Sequence, residues 1–183
     1  MKKQCMVILV ENNAGVLARV TSLFMQRGFN IDSLTVSSTE NPKISRITVM
    51  TTGDQKNFSQ ILKQTAKLIE TKMIFSVEPS FSLIRELLLA KFSTDRVDAE
   101  ALKKIIESFG ASIIDITSGC FVVELSASSQ KIDDFLEATE GYEKIEMCRS
   151  GCHCHGTRQG RLRYQLKNKN YKYITQRRKN NDY

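Results

Sequence analysis

The stretch that decides the fold runs from Cys5 to Phe24 and reads CMVILVENNAGVLARVTSLF. Its first six residues form an apolar run typical of a buried strand, and apolar residues recur at helical spacing from Val16 onward. The polar turn between them contains two asparagines and Gly15. The stretch therefore predicts a strand, a turn and a helix whose unpaired N-terminal amides lie at the turn.

This turn has the chemistry of a binding site for a small anion. The N-terminus of a helix carries unpaired N–H groups and positive partial charge, and both attract a carboxylate. Gly15 has no side chain to block a ligand, and the amide of Asn12 can both donate and accept hydrogen bonds. We interpret the turn as a site for a free amino acid. On spacing alone an ordinary strand-to-helix connection is the more frequent case.

Strand and helix patterns continue in the same order through both halves of the chain. The first half adds two strands over residues 30–38 and 45–52, a helix from an Asp54 cap to residue 70, and a strand over residues 73–77. The second half repeats the order, with elements over residues 86–92, 98–109, 111–117, 120–126, 131–139 and 142–148. Two βαββαβ units in tandem predict an α+β protein made of two ferredoxin-like domains.

The predicted elements divide the chain into three parts. One domain covers residues 1–78, a second covers residues 84–151, and a basic tail covers residues 152–183. Residues 156–183 hold nine Lys or Arg and one acid, whereas the whole chain has a net charge of +7, so the folded body is close to neutral. Because this segment has few apolar residues and no sustained periodicity, we expect the tail to be disordered.

The composition excludes several classes of protein. The chain is 41% hydrophobic and 26% charged, which is typical of a soluble globular protein, and it has no apolar run of the roughly 20 residues that cross a bilayer. The apolar run after the basic N-terminus is broken at Glu11, so we reject a secretory signal and expect a cytosol-like compartment. The odd number of cysteines, five, argues against a secreted disulfide scaffold.

The sequence also argues against a metal site and against a catalytic site. The run Cys152-His153-Cys154-His155 places four candidate ligands too close together to surround one tetrahedral ion, so we predict no functional metal site. The two histidines of that run are the only ones in the chain, and no Ser or Cys of the body has a partner base. We therefore predict no catalytic residue.

Several segments resemble the small regulatory subunits of acetolactate synthase, also called acetohydroxyacid synthase. They are residues 10–20 (VENNAGVLARV), 24–36 (FMQRGFNIDSLTV), 45–49 (SRITV), 113–117 (IIDIT) and 149–151 (RSG). The resemblance covers about residues 2–151, and the chain departs from the family pattern from Cys152 onward.

The resemblance implies a sensing function. The first unit would be an ACT domain that pairs with a second copy, and branched-chain amino acids, chiefly valine, would bind between the two. Asn12 and Gly15 of one chain and Asn30 and Ile31 of its neighbour match the family's effector-binding positions. The chain itself would have no activity and no cofactor. It would activate a catalytic subunit that carries thiamine diphosphate, magnesium and FAD, and make that subunit sensitive to feedback inhibition, in a bacterial cytoplasm or a plastid stroma.

The second repeat does not keep the turn. Its counterpart, residues 92–98 (FSTDRVD), has no Gly and no Asn, and its acids would repel a carboxylate, so we predict one effector site per chain. Two other functions remain open at this point. The chain could be a stand-alone amino-acid sensor with another target, or an RNA-binding ferredoxin-like protein that uses the tyrosines and basic residues of its tail.

Overall fold

The computed structural model describes residues 2–77, 82–95, 97–156 and 163–166. The first unit consists of β1 (Lys2–Glu11), α1 (Val16–Gln26), β2 (Ser33–Ser38), β3 (Ile44–Gly53), α2 (Gln55–Thr65) and β4 (Thr71–Val77). The second consists of β5 (Ser82–Ser93), α3 (Ala99–Ser108), β6 (Ser112–Thr117), β7 (Cys120–Ala127), α4 (Ser129–Ala138) and β8 (Lys144–Arg149). Two short strands follow, β9 (His153–Gly156) and β10 (Arg163–Leu166).

Each unit contains one antiparallel sheet. The strand orders are β10-β4-β1-β3-β2 in the first unit and β6-β7-β5-β8 in the second. In each unit the two helices bury apolar residues against one face of the sheet, for example Phe24 with Ile8 and Phe135 with Leu88. This architecture confirms the predicted pair of ferredoxin-like βαββαβ units.

Several element boundaries differ from the predicted ones, and hydrogen bonds explain two of the differences. The strand expected from residue 30 begins at Ser33, because the backbone carbonyl of Asn30 accepts a hydrogen bond from the Thr51 hydroxyl instead of entering a ladder. The helix that Asp54 caps, as predicted, ends at Thr65 and not at residue 70. The hydroxyl of Thr71 donates to the Thr65 carbonyl at 2.8 Å and so satisfies one of the unpaired groups at the helix end.

The first residues after β8 are ordered, which corrects the expectation of a disordered tail from Cys152. β9 pairs with the first residues of β5, and its side chains alternate between a buried and an exposed face. Cys152 and Cys154 are buried, whereas His153 and His155 are exposed. β10 adds to the first sheet beside β4. The remaining tail residues, 157–162 and 167–183, lie outside the described residues.

β9 and the start of β5 cover the face of the first sheet that the helices leave open. Cys5, Val7 and Leu9 of β1 pack in one apolar cluster with Ile84 and Cys154. The alternate residues of β1 pack under α1 and α2. The first sheet is therefore buried on both faces, which agrees with the unbroken apolar run of its central strand.

Gly151 makes the turn between β8 and β9 possible. Its backbone has φ +76°, and a Cβ built on it would lie 2.7 Å from Ser33 Oγ and 2.9 Å from Thr35 Oγ1. The flanking residues bond to the same two side chains: Cys152 N–H donates to Ser33 Oγ, and Thr35 Oγ1 donates to the Ser150 carbonyl. This joint between the two units requires a residue without a side chain.

We expect Gly151→Ala to lower the free energy of unfolding by about 2–4 kcal/mol, through backbone strain and the displacement of both hydroxyl groups. Gly110→Ala is the matched control, because Gly110 has φ +65° but nothing within 4 Å of its Cβ position. Strain alone predicts about 1–2 kcal/mol for the control. Urea unfolding of both variants measures the difference, and equal losses would show that the joint tolerates a side chain.

Candidate effector site

The turn after β1 is fixed by backbone hydrogen bonds on both sides. Glu11 N–H donates to the Glu70 carbonyl at 2.9 Å, and Asn12 N–H donates to the Lys43 carbonyl at 2.8 Å. Gly15 follows with φ +82°, a left-handed conformation that favours glycine, and there is open space where its side chain would be. The turn therefore presents its backbone to solvent in a defined geometry.

The N-terminus of α1 has no internal cap. Gly15 is its N-cap residue, no side chain among the described residues accepts from the first-turn amides, and the first turn contains no acidic residue. In contrast, the other three α-helices of the described part are capped by the side chains of Asp54, Asp98 and Ser128. Val16 N–H donates to the Asn13 carbonyl at 3.3 Å. The next amides of the first turn and the positive partial charge of α1 are left for an external acceptor.

Asn12 lies beside this helix end. Its side-chain nitrogen donates to the Pro42 carbonyl at 2.9 Å, and within the described part of the chain no donor reaches its side-chain oxygen. Asn12 also lines a cleft of about 480 Å³ under the β2–β3 loop, with Lys43 and Lys72 among its walls. Lys72 forms an ion pair with Glu11. The side-chain oxygen of Asn12 is therefore available as a hydrogen-bond acceptor beside the turn.

Asn30 and Ile31 lie at the opposite end of α1. The side-chain nitrogen of Asn30 donates to Asp32 Oδ1 at 3.3 Å, and Ile31 is half-buried against the core of the first unit. Since α1 has 11 residues, it separates these two from the Gly15 turn by about 16 Å. The structure thus brings Asn12 and Gly15 together, and Asn30 and Ile31 together, but does not join the two pairs within one chain.

The corresponding helix of the second unit has a side-chain cap. Asp98 is the N-cap of α3, and its carboxylate accepts from Glu100 N–H and Ala101 N–H at 3.0 and 3.1 Å. A side-chain carboxylate thus occupies the position that an external carboxylate could take at α1. That the second repeat binds no effector stays a prediction.

Within residues 2–77, 82–95, 97–156 and 163–166 the structure shows no group of three or more His, Cys, Asp and Glu that could hold a metal ion. The Cys-His-Cys-His run does not form such a group because the side chains of a strand alternate. The cysteines point to the buried face and the histidines to the exposed face. Among the described helices none is long and apolar enough to cross a membrane.

A second cleft, of about 460 Å³, lies between the two units and contains a charged cluster. Arg149 donates from Nε and Nη2 to both carboxylate oxygens of the buried Glu86, at 2.7 and 2.8 Å, and from Nη1 to Asp133 at 2.8 Å. The hydrogen bonds from Arg149 hold the pKa of Glu86 below its usual value, although burial opposes them. In the sequence, Arg149 is noted only as part of the RSG segment. No local sequence pattern indicates that Glu86 is its partner.

Comparisons with known proteins agree with the geometry. The family described as "AHAS small subunit-like ACT domain" matches residues 6–72, and "Small subunit of acetolactate synthase" matches residues 85–153. The chain belongs to the acetolactate synthase small-subunit family. Its match to that family confirms the resemblance seen in residues 10–36 and identifies the first unit as an ACT domain.

Individual relatives in this family cover most of the chain. The acetolactate synthase small subunit of Buchnera aphidicola (subsp. Schizaphis graminum) is 39% identical over 150 residues, which are 81% of this chain and 95% of the relative. The isozyme 3 small subunit of Escherichia coli K12 is 38% identical over 150 residues, 81% of this chain and 92% of the relative. The crystal structure of the Thermotoga maritima small subunit has a TM-score of 0.79 at 31% identity, covering 85% of this chain and 98% of that one.

We expect Glu86→Gln to lower the free energy of unfolding at pH 7 by about 1–3 kcal/mol, because it weakens a charge-assisted pair at a buried position. A carboxyl whose pKa is lowered by folding stabilises above its unfolded pKa, near 4.5, and loses that stabilisation as the pH falls through the folded value. Wild-type stability should therefore fall below about pH 4.5 more steeply than that of the variant. Urea unfolding between pH 3 and 7 tests this, and parallel pH profiles would contradict it.

Proposed function

We propose that this chain is the regulatory subunit of an acetolactate synthase, and that it binds a branched-chain amino acid, chiefly valine, as a feedback inhibitor. The observation that carries the proposal is the uncapped N-terminus of α1 beside Asn12, in an ACT domain of the acetolactate synthase small-subunit family. On binding the catalytic subunit, the chain raises its activity and makes it respond to the amino acid.

In this proposal the effector carboxylate accepts from the amides that follow Gly15 at the N-terminus of α1. The ammonium group donates to the side-chain oxygens of Asn12 and Asn30, and Ile31 supplies an apolar wall for the branched side chain. Each hydrogen bond to a charged group contributes about 1.5–3 kcal/mol, which suits a ligand that must bind reversibly.

A homodimer of ACT domains completes the site. A twofold axis that sets α1 antiparallel to α1 of a second copy brings the Gly15 turn of one chain to Asn30 and Ile31 of the other. Two features of the described surface support this pairing. β2 is the last strand of the first sheet and pairs only with β3 there, and Leu17 and Met25 leave apolar surface exposed on α1.

The catalytic chemistry belongs to the partner in this proposal. The catalytic subunit carries thiamine diphosphate, magnesium and FAD, while this chain contributes the effector site and contacts to the partner. The complex works in the cytoplasm, in keeping with the bacterial relatives. If the chain is instead a stand-alone sensor, affinity purification from its own cells will not retain a large thiamine-dependent enzyme.

We expect Asn12→Ala or Asn30→Ala to raise the valine concentration for half-maximal inhibition about 10- to 100-fold, which is the loss of one hydrogen bond to a charged group. Activity of a reconstituted holoenzyme is measured against valine concentration. Asn57→Ala is the matched control, because Asn57 is an exposed asparagine at the first turn of α2. An unchanged inhibition curve for Asn12→Ala or Asn30→Ala contradicts the assigned site.

Gly15→Asp should have a larger effect, more than about 100-fold, since it adds a strained backbone and a negative charge at the carboxylate position. Equilibrium dialysis should find one valine site per wild-type chain and none in this variant. Two independent sites per chain would show that the second unit also binds the effector.

A further inference from the structure

Two buried cysteines from distant parts of the sequence meet between the first sheet and β9. The sulfur atoms of Cys5 and Cys154 are 2.9 Å apart, although 149 positions separate the two residues in the chain. Cys5 is 1% exposed and Cys154 is 4% exposed. This contact links the central strand of the first unit to the strand that follows the second unit.

The backbone holds both residues in position. Cys5 lies on β1 between Met50 of β3 and Val77 of β4, and Cys154 lies opposite Ile84 in the β5–β9 pair. In addition, the Arg46 guanidinium donates to the carbonyl of Cys154. A disulfide bond of about 2.05 Å therefore needs the two sulfur atoms to approach by less than about 1 Å.

The surroundings also favour one thiolate in the pair. The hydrogen bond between the two sulfur atoms lowers the pKa of Cys154, and the nearby charge of Arg46 acts in the same direction against burial. The same hydrogen bond and its burial raise the pKa of Cys5. Cys154 is thus the nucleophile of the pair, and Cys5 is the thiol that closes the bond.

We propose that Cys5 and Cys154 form a reversible disulfide that fastens β9 to the first sheet. The oxidant is a low-molecular-weight disulfide, RSSR. The Cys154 thiolate attacks one of its sulfurs and releases RS⁻; Cys5 then loses its proton, attacks Cys154 Sγ in the mixed disulfide and releases a second RS⁻. The two protein thiols lose two electrons, and RSSR gains them to become two thiols once protonated.

Access to the pair requires β9 to open. β9 has four residues and pairs with β5 alone in the described part of the chain, so it can separate at lower free energy than the central strands. Oxidation should then proceed at the rate at which β9 opens. Once closed, the bond prevents that opening and slows amide hydrogen exchange in β9.

The test uses the full chain carrying Cys148→Ser, because Cys148 is exposed and would otherwise react on its own. After incubation with oxidised glutathione, remaining thiols are alkylated under denaturing conditions and counted by intact mass. We expect two of the four thiols to be lost without a glutathione adduct. Peptide mapping should then find a disulfide-linked pair that contains residues 5 and 154. Reductant restores all four.

Further substitutions assign the bond. Cys5→Ala or Cys154→Ala in the same background should abolish the loss of paired thiols, whereas Cys120→Ala, which removes another buried cysteine, should leave it intact. Four thiols that stay reduced throughout, or a disulfide that contains Cys120 or Cys152, overturn the proposal.

A second measurement needs no cysteine-to-alanine variant. Because the bond closes a loop of 149 positions, oxidation should raise Tm by about 5–15 °C and slow hydrogen exchange in β9, and reductant should reverse both. A disulfide that forms without changing either quantity would overturn the claim that it fastens β9. Neither experiment depends on the proposed effector or on a catalytic subunit.

Discussion

The structure depends on the burial of β1 on both faces. Residues 4–10 of this strand are all buried, with one set of side chains under α1 and α2 and the other under β9 and the start of β5. A two-layer unit of sheet and helices covers only the first set. The second half of the chain must therefore lie against the first for the central strand to leave water, and the hydrophobic effect holds the two units together.

This burial also determines the position of the turn that contains Gly15. β1 is paired along its whole length with β3, and Asn12 and Gly15 follow directly where the strand ends. Because residues 4–10 of the strand are buried and paired, we expect the turn to keep its geometry without a ligand, which is what a site made of backbone amides requires. The backbone N–H groups of Glu11 and Asn12 also donate to carbonyls of neighbouring loops, and these hydrogen bonds hold the turn in place.

Local sequence patterns predicted the two units, the Asp54 cap and the glycine turn. Helix caps, hydrophobic periodicity and left-handed turns each depend on only a few neighbouring residues, so a single segment of sequence shows them. Local patterns failed at residues 152–156, which were expected to belong to a disordered tail, although the alternation of cysteine and histidine there is that of a strand with one buried face. They could not show that Glu86 meets Arg149, or Cys5 meets Cys154, since those pairs come together only through the packing of the two units. The predicted site residues are also separated within one chain, because the Gly15 turn precedes α1 whereas Asn30 and Ile31 follow it.

The missing cap of α1 has a thermodynamic consequence. A side-chain cap contributes about 1 kcal/mol to a helix, and α1 lacks it where α2, α3 and α4 have one. The first turn of α1 is accordingly the part of the helix layer with most stability still to gain. If the proposed effector binds there, its carboxylate would supply the absent cap, so effector occupancy and local helix order would form a single linked equilibrium. Binding would then change how often that turn frays, without a large displacement of the fold.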